Sequence, residues 1–294
     1  LEVDVVVPEE SHEENASGAL RELFAGSADI AVLPRPIFLI AASRARPVLA
    51  FANLLRNDPI NLIVHRDVVE ARGLAASLPL AERLHAIRGL RIGVAPGPPP
   101  RLRALLATAG LEADRDVAMV VVPGEEQNEA FAQRRVDALY AHTPFLERAL
   151  VEQDGVMIVN QSAGEVAELA DRQIHMLVTT RDYALRNPDV LTRVTRAIYR
   201  AQQLIHADRV ATVMAIRRSG ARLEAPGALE TLVDIYASAI PTTPEVSAEG
   251  ALRELALFPG RRRTPDLGNV DIAAFVDNGF AERAVAGGTA RPGP

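Results

Sequence analysis

The chain has 294 residues, 48% of them hydrophobic and 24% charged, which is enough apolar material for about two packed domains and excludes a disordered or fibrous chain. Its net charge of −6 argues against a nucleic-acid partner, which a basic face would announce. All 32 Lys-plus-Arg positions are arginine and there is no cysteine, so lysine Schiff bases, thiol nucleophiles, disulfides and thiolate-held metals are excluded together.

The opening Leu1-Glu2-Val3-Asp4 lacks the basic and apolar regions of a signal peptide. No apolar run approaches the ~18–20 residues that span a bilayer, so a soluble polypeptide is expected. Residues 1–7 alternate and are β-branched, and short apolar runs follow at 28–33, 48–52 and 60–65, the last after a turn at Asn57-Asp58-Pro59; all four read as strands. Between the first two, residues 16–26 place Ala16, Leu20, Leu23 and Phe24 on one helical face, with Gly26 as the stop. The stretch Glu9–Asn15, with four carboxylates and His12, reads as a solvated acidic lead-in to that helix, a hard-metal site being the alternative.

Strands recur at 90–95, 117–122, 136–141 and 156–160, separated by helices near 101–109, 125–133 and 144–153. This predicts βαβ units on a mostly parallel sheet, with ligand loops at the strands' carboxyl ends. After a strand at 173–180 the pattern turns helical. Asn187-Pro188 opens an amphipathic helix with Val190, Leu191, Val194, Ile198, Ala201 and Ile205 on one face. Further helices are predicted near 208–218, 226–238, 246–256 and 271–279, then a frayed tail from Ala286. The segments 60–68 and 173–183 both run from an apolar strand into Arg-Asp, and read as two crossings between lobes with a cleft and hinge. The predicted division is 1–64 plus 178–294 for one lobe and 65–177 for the other.

The chain carries no G-x-G-x-x-G, Walker A loop, G-x-S-x-G elbow or H-E-x-x-H. Pro34-Arg35-Pro36 follows a strand directly, so Arg35, stiffened by Pro34, is a candidate bidentate clamp for an acidic group, or else a surface ion-pair partner. Gly97-Pro98-Pro99-Pro100 enters a helix where an anion would be received, but prolines lack the N–H donors. Arg101 would then supply them, with Pro98 as a rigid apolar wall. Thr143 before Pro144 reads as a helix cap, leaving Tyr140, His142 and Thr143 at a strand end facing the cleft, with Tyr140 in the core as the alternative. Asn160 and Gln161 close the next strand with amides suited to a small polar ligand. His65 and His175 lie on the crossing strands, as cleft or structural histidines. Arg261-Arg262-Arg263 reads as a solvated face.

ALRELFAGSADIAVL (19–33), GLRIGVAPG (89–97) and VVVPGEEQNEAFAQRRVDALYAHTP (120–144) resemble type II periplasmic binding proteins of the NMT1/THI5-like, sulfonate/nitrate/taurine branch, and the resemblance covers most of residues 1–210. It implies an α/β fold of two lobes joined by two crossing strands, with extra C-terminal helices. It further implies an extracytoplasmic, monomeric receptor, without a cofactor, that closes around a small organic acid, sulfonate, aromatic or pyrimidine-like molecule and delivers it to an ABC permease. The family ordinarily begins with one more strand and helix, and Leu1 corresponds to its second strand. A proline-rich anion loop replaces the family's Ser/Thr/Gly-rich one, which points toward a partly apolar acid. The competing class is an enzyme on the same fold, such as a dihydroxyphthalate-type decarboxylase, for which His12, His142 and the acidic loop are the candidates. The thiamine-pyrimidine synthases of the superfamily need cysteines that this chain lacks.

Overall fold

The computed structural model describes residues 2–7, 12–221, 223, 225–257 and 267–288. Glu9, Glu10 and Ser11, the side chains of 12–17 and Arg261-Arg262-Arg263 lie outside that description. The chain forms two compact units: Leu1–Arg56, Asp171–Ala207 and Ile240–Pro294 make unit 1, while Asn57–Ala170 and Asp208–Ala239 make unit 2. This grouping differs from the predicted lobes at 57–64, 171–177 and 208–239.

Unit 1 opens with α1 (His12–Ala25), β1 (Ala31–Pro34), α2 (Arg35–Ser43) and β2 (Val48–Arg56). Unit 2 follows with β3 (Asn61–His65), α3 (Arg66–Ala71), α4 (Leu80–Ala86), β4 (Arg91–Val94), α5 (Pro99–Ala107), α6 (Ala113–Asp116), β5 (Ala118–Val121), α7 (Gln127–Ala132), β6 (Ala138–Ala141), α8 (Phe145–Glu152) and β7 (Gly155–Val159). The chain returns to unit 1 for β8 (Gln173–Thr180), α9 (Arg181–Arg186) and α10 (Pro188–Ala207), gives unit 2 α11 (Arg209–Arg218) and α12 (Ala228–Tyr236), and ends in unit 1 with α13 (Ala248–Leu257) and α14 (Gly279–Gly288).

Unit 1 is built on a three-stranded sheet, β1-β8-β2, with β8 antiparallel to both neighbours. The apolar runs of β2 and β8 are continuous because both faces are covered. Val48, Ala50, Met176 and Val178 pack with Leu33, Phe38 and Leu39, while Leu49, Phe51 and Leu177 pack with Leu191 and Phe280 on the other side. Each fully buried Leu or Phe contributes about 1.5–3 kcal/mol of transfer free energy. Unit 2 carries a five-stranded sheet, β5-β4-β6-β3-β7. There β4 runs parallel to β5 and β6, and β3 is antiparallel to β6 and β7. The mostly parallel expectation is thus corrected: β8 and β3 each run against their neighbours.

Three further expectations change. Residues 2–7 form no strand, and Val3, Val5, Val6 and Val7 are exposed; alternation marks a face that could be buried, but a strand needs a neighbour to pair with. Pro34-Arg35-Pro36 is not a loop, since α2 starts at Arg35, a sterically permitted place for Pro36. The helix predicted at 271–279 is a single 3-10 turn (Ile272–Phe275); of the tail expected to fray from Ala286, residues 286–288 close α14 and the rest lies outside the described residues.

Candidate functional site

The carboxyl ends of β4, β5, β6 and β7 and the start of β3 share one edge of the unit 2 sheet: Asn61 stands opposite Ala141, and Leu62 opposite Tyr140 and Val159. Helices leave from this edge, and it is where α/β sheets present ligand-binding groups. Five of the sequence candidates meet here with Pro98: Arg101, Tyr140, His142, Thr143 and Asn160.

Pro98 caps α5 without a side-chain hydrogen bond, and its carbonyl accepts from the Arg101 N–H at 2.8 Å. Arg101, on the first turn, donates from Nη1 to Oδ1 of the buried Asp58 at 3.3 Å. Its Nε is buried and has no hydrogen-bond partner. The Tyr140 hydroxyl, fully buried, accepts from Gln161 Nε2 at 2.6 Å, and the same amide donates to the Ile60 carbonyl at 2.7 Å. Asn61 and Ser162 bond reciprocally: Asn61 Nδ2 donates to Ser162 Oγ at 2.9 Å and Ser162 N–H donates to Asn61 Oδ1 at 3.1 Å. Asn160 spends its side-chain oxygen on the Ala163 N–H, 3.1 Å away, starting a 3-10 turn.

Thr143 is not the cap of α8. Pro144 occupies that position after a cis Thr143–Pro144 bond, and the helix begins at Phe145. His142 Nδ1 donates to the Thr143 carbonyl at 2.5 Å, while the Thr143 N–H donates to the Tyr236 hydroxyl at 3.0 Å. That hydroxyl in turn donates to the Pro59 carbonyl at 3.1 Å, tying the lead-in of β3 to the turn after β6. Burial pushes the Tyr236 phenol strongly upward, as does the neighbouring Glu147. Glu147, one turn into α8, is wholly buried, and neither carboxyl oxygen makes a hydrogen bond of good geometry. Burial raises its carboxyl above the ordinary value against the weaker pull of its own N–H and the Thr143 hydroxyl.

The other candidates lie elsewhere. His65 ends β3 at the opposite edge of the sheet, opposite Gly155, stacked at 3.5 Å on the Phe131 ring with Nε2 3.0 Å from the Phe131 carbonyl. Burial, then the charge of Arg134, push its imidazole down. Pro34 and Arg35 belong to unit 1. Arg35 is only 1% exposed, and its Nη1 donates to the Gln173 carbonyl at 2.9 Å. Gln173 Nε2 donates to Asn53 Oδ1 at 2.7 Å, and Gln202 Nε2 to the Asn53 carbonyl at 2.8 Å, a buried polar chain beneath the ends of β1 and β2. Sequence reasoning missed Asp58, Asn61, Ser162, Glu147 and Tyr236 as contributors to the unit 2 edge. Asp58 was visible as a turn residue; Tyr236 offered no local signal.

Among the described residues no three His, Asp or Glu side chains are grouped to hold a metal ion, and no helix is long and apolar enough to cross a membrane.

Residues 3–217 match the model of the NMT1-like family. No curated protein sequence matches the chain. Among solved structures, it is similar to the alkanesulfonate-binding protein SsuA of Xanthomonas axonopodis pv. citri bound to MOPS (TM-score 0.57, 19% identity, 88% of this chain and 83% of that one). It is also similar to the periplasmic nitrate-binding protein NrtA of Synechocystis PCC 6803 (TM-score 0.56, 13% identity, 94% and 79%). A third is the desulfurization enzyme DszB (TM-score 0.59, 14% identity, 89% and 86%). At these identities the likeness is one of fold, and that fold is shared by binding proteins and an enzyme.

Proposed function

The chain belongs to the NMT1-like family, and on that premise we propose that it is a monomeric solute receptor, working outside the cytoplasm, that binds a small organic anion at the polar edge of unit 2 and passes it to the permease of an ABC importer. The observation that carries this reading is Arg101. Its guanidinium stands at the ligand-presenting end of the sheet, steadied on one side by Asp58, with a buried Nε that no protein acceptor satisfies. A buried donor without a partner costs about 1–3 kcal/mol, which an oxyanion reaching Nε would offset. Pro98, Pro99 and Pro100 remove the N–H groups that otherwise cradle an anion at such a helix start, so the guanidinium must do that work. The same prolines favour a ligand with an apolar portion beside its acid. SsuA, an alkanesulfonate-binding protein, and NrtA, a nitrate-binding protein, share the fold and support an anionic ligand.

DszB favours a second reading, an enzyme on this fold such as a decarboxylase. Native mass spectrometry of the chain with a pool of alkanesulfonates, aromatic carboxylates, nitrate and pyrimidines separates the two. The expected result is one unaltered adduct per single chain. Catalytic disappearance of a pool compound with loss of carbon dioxide would establish the enzyme instead. Arg101→Met should lower affinity for the captured compound roughly 10- to 100-fold, the worth of one or two charge-assisted hydrogen bonds. Unchanged affinity in the folded variant would remove Arg101 from the site.

A further inference from the structure

We propose that Glu147 is held as the neutral carboxylic acid, and that this proton keeps the His142–Thr143 turn seated at the unit 2 edge. The inference deepens the receptor reading by adding a regulatory group beneath the same site, and rests on that reading for its physiological meaning.

Glu147 is 0% exposed, and both carboxyl oxygens lack a well-made hydrogen bond. An ionised carboxylate in such a place needs a cation or several N–H donors. The elements packed on α8 supply neither. From α12 comes the neutral Tyr236 phenol, while Asp234 and Glu230 of that helix are engaged by Arg209 and Arg217. From α7, Glu129 is exposed and bonded to Gln133. From β6 comes Tyr140, with His142 beyond its end, whose Nδ1 is turned to the Thr143 carbonyl. From β3 comes His65, at the far edge, with the acidic Asp58 ahead of the strand. The strand β7 has no titratable residue, and Asp154 before it is exposed. Arg148, on α8 itself, is exposed and paired with Glu152 at 3.0 Å.

The same sheet edge already holds unpartnered buried groups, the donor Gln127 Nε2 at the start of α7 among them. Asn128 Oδ1 on α7 and Gln161 Oε1 after β7 are buried without partners. A carboxylate would add two more acceptors, whereas the protonated acid brings a donor. Above Glu147 sits the Thr143 hydroxyl, and Thr143 is held through its N–H by Tyr236. Ionising Glu147 places an uncompensated charge under that turn and beside the phenol that anchors it. Burial holds the carboxyl above its ordinary value, so the proton leaves only as pH rises past that raised value.

The test uses the full chain without any solute, so that its failure is distinct from failure of the receptor reading. The Glu147 carboxyl carbon and the Thr143 amide are followed by NMR from about pH 5 to about pH 9. The expected result is a protonated carboxyl at neutral pH, with the Thr143 amide shifting and losing exchange protection as that proton leaves. In Glu147→Gln the amide should stay protected and flat across the range. An ionised carboxyl at neutral pH would overturn the proposal, as would a Thr143 amide that does not respond when Glu147 titrates. The wild-type carboxyl reading stands on its own if Glu147→Gln does not fold.

Discussion

A carboxyl sealed from water folds at the expense of its charge, and the linkage fixes the sign of the pH dependence. The unfolded chain ionises Glu147 near its ordinary value of 4.5, while burial raises the folded value. Between the two, the folded state binds more protons than the unfolded one, so stability falls as pH rises above 4.5 and levels off once the folded value is passed. Glu147→Gln should therefore match wild type at acid pH and exceed it at neutral pH, read from urea unfolding at a series of pH values. Equal stability at neutral pH would mean that the carboxyl is better solvated than its burial implies. Tyr236→Phe acts at the other end of the same cluster. It removes the acceptor of the Thr143 N–H and the donor to Pro59, both partly or wholly buried, and should cost about 1–3 kcal/mol in the same unfolding experiment. The two residues differ in how far a sequence can disclose them. Tyr140 lies near the end of β6 while His142, Thr143 and Asn160 follow strands, and strand ends are legible, so they are found together at the unit 2 edge. Tyr236 meets Thr143 across 93 positions, and no local pattern links them. Arg35 misleads in the opposite direction: its place at a strand end is plain, but only the packed unit turns the guanidinium onto the Gln173 carbonyl.

At the scale of elements, the apolar runs disclose where strands lie but not which way their neighbours run. β8 enters between β1 and β2 from far along the chain, and its direction is set by that insertion rather than by its own residues. The buried stripe of α10 shows a similar limit. Leu191 fits the apolar face, but Thr195 and Gln202 are buried in it too, because the Leu191 and Asn53 carbonyls accept from their side chains. Packing between elements also explains a glycine that the sequence leaves unremarkable. A Cβ on Gly124, after β5, would stand 2.8 Å from the Phe145 ring on α8, closer than real contacts allow. Gly124→Ala should thus cost about 1–3 kcal/mol by overpacking, and adding Phe145→Leu should recover part of that loss. A double-mutant cycle measured by chemical denaturation checks the coupling; strictly additive effects would show that α8 yields without cost.

At the scale of the whole chain, neither unit is one stretch of sequence, and the tail is where the local pattern disclosed least. The family match ends at residue 217, yet both units draw core from beyond it. Leu232, Ile235 and Tyr236 pack with Phe131, Leu139 and Leu146 in unit 2. Val246, Ala251 and Ile272 complete one face of the unit 1 sheet, and Phe280 the other. Helical periodicity foresaw most of these helices but could not assign them, because an apolar stripe states that a face is buried without stating against what. The consequence is testable by truncation. A fragment ending at Ala207 keeps all eight strands but removes α11 to α14, exposing apolar surface in both units at once. Each lost Leu, Ile or Phe contact forfeits about 1.5–3 kcal/mol, and the few removed together are comparable to the 5–15 kcal/mol that holds a typical domain together. The fragment should therefore retain strand and helix signal by far-ultraviolet circular dichroism, bind a hydrophobic dye, and show no cooperative thermal transition. A sharp transition near that of the full chain would instead mean that the C-terminal helices are ornaments on two self-sufficient sheets, and the core assignments made for Tyr236 and Phe280 would fall with it.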